Sequence, residues 1–310
     1  MEQTELFGTE KISKILLKLA PPVMLAQLIQ ALYNIIDSLF VGRCSDAGLT
    51  ALSIVYPLQL LMIALAVGTG VGVNTFMARL YAFQKRKEAE KTAGTGMILS
   101  IITWAIFAPI SALLMRTYVM TSAKSPMAVD YAVTYGRIVC IGSLGIFLEG
   151  NWSKVHQAKG NMRLPMIAQI VGAVVKMILD PILIFGLGPI PELGVAGAGL
   201  ATVLGQIAAA VLTFKGGAYQ PPKLDEIKEY IVQIYKLGYP SILMQALYTV
   251  YIVLLNMILA GFSDSAVTVL GLYYKMQSFF FIPLLGLQTC IVPVLSYNYA
   301  QQSYGRCKKV

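Results

Sequence analysis

The sequence predicts an all-α polytopic membrane protein: one complete six-helix lobe, then the first two helices of a second. Three observations carry this. The 310-residue chain is 57% hydrophobic and 13% charged, with mean hydropathy +0.69, whereas soluble domains are about 45–50% apolar and about 25% charged. Apolar runs near or above the ~20 residues needed to cross a bilayer recur along it. A copy of the chain's beginning also returns near its end.

Residues 1–14 form a polar lead-in of mixed charge, expected at the membrane interface and on the cytoplasmic side. The apolar stretch behind it is too long for a cleaved signal peptide, and no small-residue cleavage site follows. Eight spans are expected at about 15–41, 49–80, 93–117, 130–154, 164–187, 193–214, 231–260 and 266–299. Pro21, Pro22, Pro57, Pro181, Pro240, Pro283 and Pro293 fall inside them, which membrane helices tolerate. The first six spans make one lobe over 15–214. A linker covers 215–230, and residues 231–310 hold the hairpin.

Orientation follows from the basic residues. Of 24 lysines and arginines, eighteen fall on the side shared by the lead-in, the linker and the last residues. Only Arg43, Arg116 and Lys124 fall on the other. That bias places both ends of the chain in the cytoplasm. The net charge of +9 is therefore topological and gives no reason to expect nucleic-acid binding. Cys44, Cys140, Cys290 and Cys307 have no metal-binding or disulfide spacing, and no constellation for an enzyme active site is present.

The repeat is specific. A shift of 218 lays residues 18–91 on 236–309 without a gap. It matches Pro22 with Pro240, Gln27 with Gln245, Ser45-Asp46 with Ser263-Asp264, Thr50 with Thr268, Gln59 with Gln277, Gly68 with Gly286 and Tyr81-Ala82 with Tyr299-Ala300. Six spans separate the copies, so both run in the same direction. A pseudo-twofold axis along the membrane normal is expected, as in parallel-repeat transporters. A two-lobe protein would need twelve spans. The hairpin could then be completed by a second polypeptide or by dimerisation.

Within the spans the costly residues are ionisable. Asp37 lies in the outer third of the first span and Asp180 precedes Pro181 in the fifth. An acid at the centre of a membrane helix costs about 2.5–3.5 kcal/mol on insertion scales, which makes it a functional candidate. Asn34, one turn before Asp37, offers a neutral oxygen on the same face. Lys176 lies at i−4 to Asp180, where an intrahelical ion pair would neutralise the acid and disfavour sodium. Lys275 takes the repeat position of Pro57 and could touch substrate or reach an acid such as Asp37. Met244, Gln245 and Tyr251, with neighbouring tyrosines, suggest an aromatic cleft suited to flat cations. Gly68-Thr-Gly70-Val-Gly72 resembles a nucleotide loop but sits inside a span, so it is read as helix packing. His156, beside a basic loop, is expected at the surface. Glu149 is a candidate for coupling or for a structural ion pair.

In combination, Tyr33-Asn-Ile-Ile-Asp37-Ser-Leu-Phe-Val-Gly42, Gln157-Ala-Lys-Gly-Asn161, Leu179-Asp180-Pro181, Leu193-Gly-Val-Ala-Gly-Ala-Gly-Leu-Ala-Thr202 and Val292-Pro-Val-Leu-Ser-Tyr-Asn-Tyr-Ala300 resemble the multidrug and toxic compound extrusion (MATE) transporters. The resemblance implies two rocking lobes in a plasma membrane, the inner membrane of a bacterium. It implies export of small organic cations in exchange for H+ or Na+, with no other cofactor. It further implies a first-lobe cation site at Asp37, Asp180 and Thr202, with Asp37 and Asp180 as metal ligands if sodium is the coupling ion. The family commonly has asparagine where this chain has Lys176. The alternatives are a flippase for lipid-linked or polysaccharide cargo within the wider superfamily, or a truncated membrane protein that does not transport.

Overall fold

The computed structural model describes residues 6–123 and 125–310. Residues 1–5 of the lead-in and Lys124 lie outside the described residues, as do the side chains of Leu6, Asn34 and Ser278. The helices in chain order are α1 (Leu6–Thr9), α2 (Ile12–Cys44), α3 (Asp46–Ala82), α4 (Arg86–Met120), α5 (Pro126–Ile141) and α6 (Leu144–Ala158). They continue with α7 (Arg163–Phe185), α8 (Val195–Phe214), α9 (Leu224–Ala260), α10 (Asp264–Phe280), α11 (Ile282–Ala300) and α12 (Tyr304–Cys307). Among the described residues, six are singly long and apolar enough to span a bilayer, or up to eight if each bent pair counts as one span.

The bent pairs correct the expectation of continuous fourth and eighth spans. Helices α5 and α6 meet at 46°, and the second pair, on either side of Phe281, at 58°. At the first break the Ser143 hydroxyl donates to the Cys140 carbonyl at 2.7 Å, competing with the backbone ladder. A Cβ on Gly142 would lie 2.4 Å from Val203, so α8 presses on the bend. At the second, Pro283 stands at the start of α11. It has no N–H to donate, and its ring crowds the preceding turn.

Helix α3 is the centre of the bundle and packs on α2, α4, α5, α6, α9, α10 and α11. Its glycines make that possible. A Cβ on Gly72 would lie 2.1 Å from the Ile234 carbonyl oxygen, and one on Gly238 2.6 Å from that of Gly68. Gly70, on another face, meets Gly150 and Lys154 of α6. The glycine run is thus a packing surface that brings α3 against α9.

The 218-residue repeat extends to the coordinates. Gly68 meets Ile242, and its counterpart Gly286 meets Met24, the counterpart of Ile242. Ser45 caps α3 by accepting from Gly48 N at 3.3 Å, and Ser263 accepts from Ala266 N at 3.1 Å. Gln84 and Gln302, again counterparts, are the non-glycine residues with positive φ among those described (59° and 56°). Thr50 hydrogen-bonds its own counterpart Thr268, Oγ1 to Oγ1, at 2.9 Å. One turn further, Gly271 abuts its counterpart Ser53. The pseudo-twofold axis therefore runs between the first turns of α3 and α10.

Two segments are more tightly held than the sequence suggested. Phe7 of the lead-in is buried and stacks edge-on with Tyr297, and its carbonyl accepts from Asn298 Nδ2 (2.9 Å) and Arg306 Nη2 (3.0 Å). The linker is shorter than 215–230, because α9 begins at Leu224. Lys159 Nζ donates to the Gly216 carbonyl at 2.7 Å, and Lys91 pairs with Glu226 at 2.6 Å.

The axial contact has a direct test. Thr50→Cys combined with Thr268→Cys is expected to form an intramolecular disulfide under mild oxidation, read as a cross-linked peptide pair by mass spectrometry. Neither single variant should give that product. Its absence from the double variant would contradict the axis placement.

Candidate functional site

The buried charges sit where α2, α7 and α8 meet. Gly172 of α7 and Gly205 of α8 approach reciprocally, each with a Cβ position within 2.8 Å of the other's carbonyl oxygen. This brings Thr202 of α8 close to the level of Lys176 on α7. The 3.6-residue period stacks Lys176 and Asp180 on one face. Pro181 follows at once and removes a backbone donor from the turn beneath the acid. Helix α2 then presents Asp37 from across the groove.

Lys176 ties the site together. Its Nζ lies 3.1 and 3.0 Å from the two oxygens of Asp180 and 2.8 Å from Oδ1 of Asp37. All three residues are buried, with 3%, 1% and 5% of their surfaces exposed. The intrahelical pair was expected. The link to Asp37 was not, because the rotation of α2 against α7 has no signature in the chain. One ammonium thus serves two carboxylates. Its charge also lies 5.9 Å from the centre of the Tyr33 ring, within cation–π range.

A neutral shell surrounds the triad. Thr202 Oγ1 donates to the Ala198 carbonyl at 2.9 Å, leaving its lone pairs for another donor or cation, and Tyr135 is its neighbour. Gln59 Nε2 donates to the Tyr135 hydroxyl at 3.1 Å. Tyr135 and Gln59 were missed as site residues. Their signal was polarity inside apolar spans, and for Gln59 also its match to Gln277. The side chain of Asn34 is outside the described residues, so its expected place as a ligand has no structural counterpart here.

Lys275 reaches across from α10. Its buried Nζ donates to Ser38 Oγ at 2.5 Å, beside Asp37 in sequence. The expectation that it could pair with Asp37 is thus replaced by a bond to the neighbouring hydroxyl. Four buried ionisable groups, two acids and two ammoniums, leave the region close to neutral. The aromatic residues assemble next to it. Tyr248 stacks on Tyr251 (centroids 6.3 Å apart) and meets Tyr274 edge-on (6.1 Å). Tyr251 and Met244 are exposed and Gln245 is partly exposed. Tyr274 adjoins Lys275, so the Lys275–Ser38 bond connects the aromatic group to the acid site.

One further expectation changes. His156 is buried rather than superficial, with Nε2 3.1 Å from the Thr213 carbonyl. Arg137 donates from Nε to the Ala112 carbonyl at 3.1 Å, and Glu149 accepts from Ser153 Oγ at 2.6 Å. Among the described residues, no group of three or more His, Cys, Asp or Glu side chains could hold a metal ion. At Asp37 and Asp180, a sodium ion would compete with Lys176 for the same oxygens.

Comparison with known proteins adds the following. The family model MatE matches residues 22–182 and 240–310. The multidrug export protein MepA of Staphylococcus saprophyticus is 26% identical over 314 residues, covering 96% of this chain and 67% of its own length. MepA of Staphylococcus aureus is 25% identical over 331 residues (100% and 69%), and an FAD transporter of Shewanella oneidensis is 22% identical over 310 residues (96% and 68%). Among solved structures, a MOP superfamily transporter from Pyrococcus furiosus superposes with a TM-score of 0.88 at 24% identity. It is covered over 69% of its length by the whole of this chain. An outward-facing multidrug resistance MATE family transporter gives the same TM-score, identity and coverage. The chain spans about two thirds of the length of these relatives.

The triad makes a stability prediction. Lys176→Met strands two buried carboxylates, and breaking a buried pair costs about 3–5 kcal/mol. The thermal midpoint in detergent should fall. Adding Asp180→Asn, which removes one stranded charge, should recover part of the loss. A midpoint unchanged by Lys176→Met would contradict the triad.

Proposed function

This chain belongs to the MatE family of multidrug efflux transporters, and from that premise we propose that it exports flat organic cations in exchange for protons. We read the basic end of the bundle as its cytoplasmic side, a reading that the bias of lysine and arginine supports. The observation that carries the reading is the Lys176 bridge between Asp37 and Asp180. A tethered ammonium already supplies the cation that sodium would otherwise provide. Protonation of one carboxyl weakens its hold on Lys176. The freed ammonium then leans on the other acid, and α2 and α7 shift relative to one another. Ser38 moves with α2, and through Lys275 the shift reaches α10 and the tyrosines where a flat cation would stack. A ligand drives such a switch only by binding the two states unequally, and the proton does so here because it competes with Lys176.

A second reading has one observation in its favour. Two buried ammoniums offset the two acids, so the centre of the protein is not the acidic well that a purely cationic cargo would select. The Shewanella relative is named an FAD transporter. A phosphate-bearing or lipid-linked cargo would use Lys275 as its anchor.

Two measurements test the proton-coupled reading. Cells expressing Asp37→Asn should retain ethidium as cells lacking the protein do, whereas efflux equal to the parent would remove Asp37 from the coupling step. Lys176→Asn should make ethidium transport in vesicles respond to a sodium gradient that leaves the parent unaffected. If both respond alike, Lys176 does not decide the ion.

A further inference from the structure

Below the triad, towards the basic end, the interior of the six-helix lobe carries polar groups that the cycle above does not use. On α8, Gln206 lies one turn beyond Thr202 on the same face. Its Oε1 is buried and has no hydrogen-bond partner among the described residues. Its backbone and Cβ pack on Gly145 of α6, one turn before Glu149. On α7, Gln169 shares the face of Lys176, two turns and about 10 Å nearer the basic end. Gln169 is a polar neighbour of Glu149. Glu149 accepts from Ser153 at 2.6 Å, and on the next turn Lys154 Nζ donates to Gln157 Oε1 at 2.9 Å, close to the helix end. Polar groups therefore descend from Asp180 and Thr202, through Gln206, to Gln169 and Glu149, and on to Lys154 and Gln157.

We infer that Glu149 is the exit carboxylate for protons arriving at Asp37 and Asp180, and that they leave through the interior of this lobe. The inference rests on the proton-coupled reading above. In the first step a protonated Asp180 or Asp37 loses its proton and the Glu149 carboxylate gains one, through water accepted at Gln206 Oε1 and Gln169. In the second, Glu149 gives the proton to water beside Ser153 at the basic end and returns to carboxylate. Two features favour this route over the cleft. The triad is nearly closed to the surface, at 5% exposure or less. An unpartnered buried acceptor is also costly unless water or a passing donor satisfies it, and Gln206 supplies one between the two carboxylate levels. Lys154 on the same helix is the charged group in electrostatic contact with Glu149, and Cys290 of α11 lies beyond Lys154.

The test uses the 310-residue protein in liposomes with the basic end outward and an acidic lumen, reading ethidium uptake and ethidium-triggered luminal alkalinisation. Glu149→Gln should lower both by about tenfold or more, the scale at which a positioned proton-transfer group contributes. Ethidium binding to the detergent-solubilised protein should be unchanged, and Glu149→Asp should restore flux. Gln206→Leu, which removes the amide without altering charge, should slow alkalinisation without weakening binding. It also serves if Glu149→Gln does not fold. Parental liposomes that fail to alkalinise would sink the proton-coupled reading itself. If the parent alkalinises and Glu149→Gln or Gln206→Leu matches it, the exit route is overturned. Loss of binding in step with flux would mark Glu149 as structural and overturn it equally.

Discussion

The architecture of the first lobe depends on one ammonium shared by two carboxylates. Each of those charges would be expensive alone in a membrane interior. Lys176 makes the pair of acids tolerable, and it can do so only if α2 and α7 hold their mutual rotation. The reciprocal approach of Gly172 and Gly205 is part of the same requirement, because it sets α8 close enough for Thr202 and Tyr135 to enclose the triad. Buried ion pairs are poor sources of net stability, since desolvation consumes most of the Coulombic gain. Their value lies in allowing few arrangements and making those few switchable.

Much of this was legible in the chain. Span lengths and the 218-residue shift follow from hydrophobic length and self-similarity, and the helices match the expected spans closely except that α4 and α9 begin well ahead of them, at Arg86 and Leu224. The Lys176–Asp180 pair was readable because helical period alone places it. The Lys176–Asp37 contact was not, because a single sequence carries no record of how one helix is rotated against the next. The breaks at Gly142–Ser143 and Phe281–Pro283 were hidden for another reason. Glycine and proline are common in membrane helices, and several here, such as Pro57 and Pro240, leave their helices continuous. His156 was misplaced because its neighbours in sequence are basic, whereas its neighbours in space are the last turns of α8.

The two copies of the repeat have diverged where function would require it. Asp37 answers to Leu255, Pro57 to Lys275 and Leu65 to Pro283. The first copy has the acid and an unbroken second helix, while the second has the cation and a bent one. The bond between Lys275 and Ser38 crosses between the copies at the level where they differ. The acid of the first copy and the aromatic surface of the second are thus joined by a contact that a symmetric protein would lack.

The hydrogen bond between Thr50 and Thr268 bears on how such a protein arises. A residue that touches its own counterpart across a twofold axis belongs to an isologous surface, complementary to itself. Before duplication joined the copies, one threonine in a shorter chain would have met the same threonine of a second chain, and any substitution would have struck the interface twice. Fusion removes that constraint, because each partner can then change alone. Ser53 against Gly271 records one such independent change a turn away, where a hydroxymethyl group now fills the space that a missing side chain leaves. The axis of this protein thus has the self-complementary geometry of a homodimer interface within a single polypeptide.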